Sequence, residues 1–289
     1  MKSERAIRRT AAARSVLMAA YCLLLAVSSL FAFDLKNLDP DKVTSGAEKA
    51  LKAARGLSDE EERAIGREVA ANLAARYGLV EKPELVRYVN LIGQALVPHC
   101  SRPDIPYRFA ILDSSQVNAF AAPGGYIFIT RGTLETAQNE GELAGVLAHE
   151  IGHVAHRHIA REIRKSNAIG AGVDLAQAAA KDNEVLNQVS DMSIDLLFKG
   201  LSREDEREAD QAGTRLIAAL GYQPRALKSL LQTLTAKKPD DKSLLVLTKT
   251  HPKPEDRIRS IDAFLNTASL PPTGVLNEDR FVSAVKPSL

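Results

Sequence analysis

The chain has no tryptophan, and aromatic residues make up only 5% of its 289 positions, so its core has to be built from aliphatic side chains. Those are plentiful enough for one large domain, since apolar residues account for 45%. Cysteine is nearly absent. Cys22 sits in an apolar leader, which leaves Cys100 alone in the main body and excludes both an intrachain disulfide and a cysteine-built zinc site there. A basic surplus is missing too. Lys2, Arg5, Arg8, Arg9 and Arg14 against Glu4 give residues 1–33 a net charge of +4, so the rest of the chain carries −2 of the total +2. Nothing there favours nucleic acid as a partner. After residue 33 no apolar run is long enough to span a bilayer, and no tandem repeat or low-complexity block occurs.

The leader is a targeting segment. Its basic start, Met1–Arg14, precedes an uncharged apolar run from Val16 to Phe33. Cleavage after Ser28 or after Ala32 fits an export signal. The run is also about the minimum length for a membrane span, so an uncleaved signal anchor stays open. The main body is expected to be exported and periplasmic, touching a membrane only through an uncleaved leader or peripherally. Residues 34–57 read as a linker, 58–266 as one folded domain and 267–289 as a weakly patterned C-terminal tail.

Within the domain, Ser58 and Glu61 form a capping box ahead of Ile65, Val69 and Leu73, which share a helix face until Gly78. A second helix runs from Pro83 to the stop at Pro98. Strands are expected at Tyr107–Leu112, Gln116–Ala121 and, after Pro123-Gly124-Gly125, Tyr126–Thr130. A short helix beginning near Thr133 leads to Asn139, which with Glu142 caps a long helix. The small-residue stretch Ala168–Ala180 reads as a further helix, as do "SREDEREADQAGTRLIAAL" up to Gly221, Pro224–Leu234 and the segment after His251-Pro252. The expected fold is α+β, mainly α, with a small sheet beside the central helix.

That central helix contains "LAHEIGHVAHRH", four of the chain's six histidines in ten positions. His149 and His153 are one turn apart, so both imidazoles project from one face and can reach one metal ion. Glu150 lies next to the first of them, free to handle a proton from water at the metal. A catalytic zinc needs a third protein ligand and one open position. A third histidine ten residues after the first is excluded, because Ile159 stands there. His156 lies two turns along the same face, too far on a straight helix, and His158 points off it. Both are read as exposed or as orienting other ligands. The third ligand is then sought in the acidic helix, among Glu204, Asp205, Glu206, Glu208 and Asp210. Glu206 and Asp210 share a face that Gly213 and Ile217 continue as a packing side. A carboxylate ligand, followed one turn later by a carboxylate that orients a ligating histidine, is the arrangement that pairing would make.

The ordered motifs H-E-I-G-H-V-x-x-R-H, S-R-x-x-E-x-E-A-D and H-P-x-x-E-x-R-I resemble metallopeptidase family 48, the group of HtpX-like and CAAX prenyl proteases, over about Ser58–Leu265. The resemblance implies a zincin-like fold holding one zinc ion per chain. His149, His153 and Glu206 become its ligands, Glu150 the general base and Asp210 an orienting residue. His251, of the His-Pro segment, is implied to approach the metal, where it either polarises a substrate oxyanion or fills the open position in a latent state. "NAFAAPGGYIFITRG" also matches, so an edge strand with Asn118, Ala119 and Phe120 is expected to pair with an extended substrate. With no hydrophobic spans around these motifs, the chain resembles the exported members with a role in outer-membrane quality control. The function expected is a zinc endopeptidase acting on exported, misfolded or outer-membrane proteins. The alternative is a chaperone on the same fold, with proteolysis latent or secondary.

Overall fold

The computed structural model describes residues 56–165, 184–237 and 241–289. The leader, nearly all of the linker and the stretch Ala168–Ala180 lie outside the described residues. In chain order the elements are α1 (Asp59–Tyr77), α2 (Pro83–Leu96), β1 (Arg108–Leu112), β2 (Ala119–Ala122), β3 (Tyr126–Thr130), α3 (Arg131–Thr136), α4 (Glu140–Ala155) and α5 (His158–Lys165). They continue with α6 (Glu184–Lys199), α7 (Arg203–Ala219), α8 (Ala226–Thr235), α9 (Leu247–Thr250), α10 (Pro254–Thr267) and α11 (Glu278–Val285). The fold is mainly helical with one small mixed sheet, the zincin-like α+β class.

Local chemistry sets the helix starts. Ser58 and Ser202 each accept from the third helical N–H, and the carboxylates of Glu61 and Asp205 bind back to the cap backbone. Asn139 caps α4 in the same way through Glu142 N–H. The strand order is β1-β3-β2, with β1 parallel and β2 antiparallel to β3. Alternation along the strands divides two cores. Phe109, Ile111, Ala121, Ile127 and Ile129 join one with α2, α4 and α8; Leu112, Phe120, Ala122 and Phe128 join the other with α1, α5 and α6. The second strand starts at Ala119 rather than Gln116. Val117 N–H donates to Ser243 O (2.7 Å) and Asn118 N–H to the Thr133 hydroxyl (2.8 Å), so neither N–H enters the ladder, and Asn118 keeps only its carbonyl there, accepting from Thr130 N–H (3.1 Å).

The segment read as a tail packs as part of the body. Phe281 and Val285 of α11 are buried in the first core. Arg280 and Asn277 reach the buried Glu140 carboxylate at the start of α4, where Tyr88 (2.7 Å) and Tyr222 (2.6 Å) also donate. Burial alone would raise the Glu140 pKa, but hydrogen bonds from Arg280 and the two tyrosines hold it below its usual value. Its charge thus ties α2, α7's end and α11 to α4.

Helix α4 is buried from Glu140 to Val154, so it is the central pillar, and α7 lies against it. Their approach is backbone to backbone. A Cβ on Gly213 would meet His149 N at 2.9 Å and Cα at 3.1 Å, and one on Gly152 would meet Ala209 at 3.2 Å. Replacing Gly213 by valine must push α7 off α4. The expected cost is about 1–3 kcal/mol of stability, with weakened metal binding, read by thermal unfolding and a metal titration.

Candidate metal centre

Helix α4 supplies His149, Glu150 and His153, all buried, and α7 supplies Glu206 one backbone contact away. His149 Nε2 and His153 Nε2 stand 3.0 Å apart. Glu206 reaches them at 3.7 Å and 3.5 Å. Four ligands about 2.0 Å from one ion would be about 3.3 Å from each other, so these atoms mark three corners of a coordination shell. His251, which follows α9, stands beside them with its Nδ1 2.8 Å from Glu206 Oε2, and one ligand atom from each of the four residues falls within 4.8 Å of the others. Two buried imidazoles turning nitrogens toward each other and toward a buried carboxylate is a donor set that a divalent cation satisfies. The residues fit the metal.

The charges are arranged for it. Burial, and then the neighbouring His149, push the His153 pKa far down, so this imidazole is neutral and ready to ligate. Burial opposes the charge on Glu206, but His251 and the two other histidines hold its pKa well below the usual carboxylate range. Burial raises the pKa of Glu150, the direction a proton-accepting group near neutrality needs. Asp210, one turn after Glu206, meets His149 Nδ1 at 2.9 Å. It is clamped in turn by Arg257, through Nη2 at 2.6 Å and Nε at 3.0 Å. The bidentate pair holds Asp210 ionised against its burial, and Asp210 fixes the ring of His149 with Nε2 toward the cluster. Thus Glu206, Asp210 and His251 come together with the H-E-x-x-H residues, while Glu204 lies exposed on the far side of α7.

His158 is placed otherwise than a straight helix would place it. Helix α4 ends at Ala155, Arg157 takes a left-handed conformation (φ 58°), and α5 starts afresh at His158. The break carries His158 back into the interior, where its Nδ1 meets His153 Nδ1 at 2.7 Å. No glycine or proline marks it. The Arg157 guanidinium, bound to Leu57 O and paired with Glu62, holds the conformation.

Asn118 is buried, and its Oδ1 accepts from the Thr250 hydroxyl at 3.2 Å. Its Nδ2 has no partner among the described residues, and Asn118 lines a cavity of about 40 Å³ together with His149, Glu150, His251 and Arg257. Strand β2, which begins just after Asn118, is an edge of the sheet, and its outer side is covered. Leu196, Leu197, Gly200, Leu201 and Thr250 close over Ala119–Ala121, leaving a gap of about 20 Å³. The Phe120 ring points away from the cluster, packed on Tyr77 (6.3 Å) and Phe198 (5.6 Å), so only its backbone is available to a peptide.

A buried His-Glu-x-x-His helix joined by a carboxylate from a second helix defines the metallopeptidase class. Residues 83–265 match the model of peptidase family M48. The chain belongs to that family, whose members are metallopeptidases. It is 29% identical over 239 residues to the beta-barrel assembly-enhancing protease of Yersinia pestis, covering 77% of this chain and 46% of the relative. It is 28% identical to the metalloprotease YcaL of Escherichia coli, covering 74% and 86%, and 30% identical to the mitochondrial metalloendopeptidase OMA1 of Schizosaccharomyces pombe, covering 63% and 54%. The chain spans slightly under half the length of the beta-barrel assembly-enhancing proteases it matches.

Replacing Asp210 by asparagine should free the His149 ring and leave Arg257 buried without its counter-charge. Metal affinity, measured by chelator competition, is expected to fall about 10–100-fold.

Proposed function

We propose that the chain is a zinc-dependent endopeptidase of exported proteins, with His149, His153 and Glu206 holding the ion. The observation that carries this reading is the buried Glu150 carboxylate, which shares one cavity with His149 and His251 and another with His153 and Glu206. Two imidazoles and a carboxylate suit zinc. A bound zinc ion supplies Lewis acidity, which makes water acidic and polarises a peptide carbonyl. The chain's own residues do the rest. Glu150 takes the proton of the attacking water and delivers it to the departing amide nitrogen, so the bond breaks toward an amine. The free Nδ2 of Asn118 donates to a substrate backbone carbonyl and aligns the peptide along β2. Val146, Leu227, Leu230 and Leu231, which line the same cavity, accept an apolar side chain.

The leader and the relatives named beta-barrel assembly-enhancing protease support a periplasmic site of action on misfolded envelope proteins, outer-membrane proteins among them. No helix among the described residues is long and apolar enough to cross a membrane.

The second reading, a quality-control binding protein with latent proteolysis, has two observations in its favour. His251 contacts Glu206, and Leu196, Leu197 and Leu201 line the pocket along β2, so both narrow the approach to Glu150. We read His251 as a residue that fills the open position at rest and withdraws for turnover.

Glu150→Gln should keep its zinc while cleavage of unfolded envelope protein or casein falls about 10²–10⁴-fold. In the same assay His251→Ala should raise cleavage if the histidine blocks the site. A fall would assign it to the oxyanion instead, and equal cleavage by wild type and Glu150→Gln would end the proteolytic mechanism.

A further inference from the structure

A second group of metal-competent side chains lies beside the first. His156 caps the end of α4, His158 opens α5, and Glu208 sits on α7 two residues beyond Glu206. One ligand atom from each lies within 4.8 Å of the other two. His158 Nε2 is 3.0 Å from Glu208 Oε2 and His156 Nε2 is 3.9 Å from Oε1, with the two rings stacked at 5.7 Å. The His156 ring is already oriented, because its Nδ1 donates to Gly152 O at 3.0 Å and leaves the Nε2 lone pair facing Glu208. Metal-binding histidines are held in that way. His156 and Glu208 also line a cavity of about 330 Å³ that gives an ion a route in. Arg161 approaches Glu208 Oε2 at 3.2 Å, so an incoming ion meets Oε1 first.

We propose that His156, His158 and Glu208 form an outer site for a divalent transition metal such as zinc, and that filling it loosens the inner metal. The coupling follows from counting hydrogens. His153 and His158 meet Nδ1 to Nδ1 at 2.7 Å, a distance with room for one hydrogen. When His153 binds the inner metal through Nε2, its hydrogen is on Nδ1 and His158 accepts it, keeping its own on Nε2 for Glu208. A metal at His158 Nε2 moves that hydrogen to Nδ1, against the one on His153. Two N–H groups cannot face each other so closely, so the rings separate and His153 is drawn off the inner site. The outer site therefore makes the enzyme inhibitable by excess metal. This coupling rests on the reading of His149, His153 and Glu206 as the zinc ligands.

The test is a zinc titration of the metal-free full chain against a chromophoric chelator, with peptidase activity followed in parallel. The wild type should take up one tight and one weaker equivalent, activity rising with the first and falling with the second. His156→Ala should keep the tight equivalent and the activity, lose the inhibition, and bind the second equivalent about tenfold more weakly or worse. If that variant fails to fold, His156→Asn, which can still donate to Gly152 O, should behave the same way. A single equivalent in the wild type, or a second equivalent and inhibition unchanged by either substitution, overturns the proposal. Glu206→Gln reports on the inner site separately: survival of the tight equivalent there would sink the inner assignment without touching the outer count.

Discussion

The site depends on two helices that touch where one or the other carries a glycine. At Gly213 the backbone of α7 lies against the backbone of His149, and at Gly152 the backbone of α4 lies against Ala209. This contact fixes how far Glu206 stands from the two histidines, and it also sets the reach of Asp210 to the far nitrogen of His149. A carboxylate one ångström farther away would be a surface charge on an acidic helix, like Glu204. The rest of the molecule holds this crossing. The sheet and α2 support α4 on one side, and the Glu140 cluster pins its first turn to α2 and α11.

Burying so many charges together is costly unless each is answered. The answers form a chain. Arg257 pairs with Asp210, Asp210 orients His149, and His149 and His153 face Glu206, which His251 also contacts. Glu150 stands beside that chain and not within it, and burial raises its pKa while the ionised Glu206 nearby adds to the rise. A group held neutral-prone among fixed charges is suited to accept and release a proton. The same closeness brings His251 against Glu206, and Leu196, Leu197 and Leu201 line the neighbouring pocket along β2.

Much of this was legible in local patterns. Ser58, Asn139 and Ser202 announced their helices through capping geometry that depends on a few neighbouring residues. The four-residue spacings of His149 with His153, and of Glu206 with Asp210, put each pair on one helix face. The family membership that the motifs implied holds. What escaped depended on distant partners. Nothing near Arg157 announces the helix break there, since its left-handed backbone answers to Leu57 and Glu62 about a hundred residues earlier. The last helix was read as a weakly patterned tail because its anchor, Glu140, lies 140 residues before Arg280 in sequence. The early part of β2 was lost to the sheet because Ser243 and Thr133 claim its backbone.

That α4 and α7 together hold one metal ion is checked by anomalous diffraction at the zinc edge from crystals of the zinc-loaded chain. The expected result is a peak bounded by His149 Nε2, His153 Nε2 and a Glu206 oxygen, at about 2.0–2.1 Å from the nitrogens. No peak between the two helices, or a tight-binding ion held by residues that exclude Glu206, would contradict it.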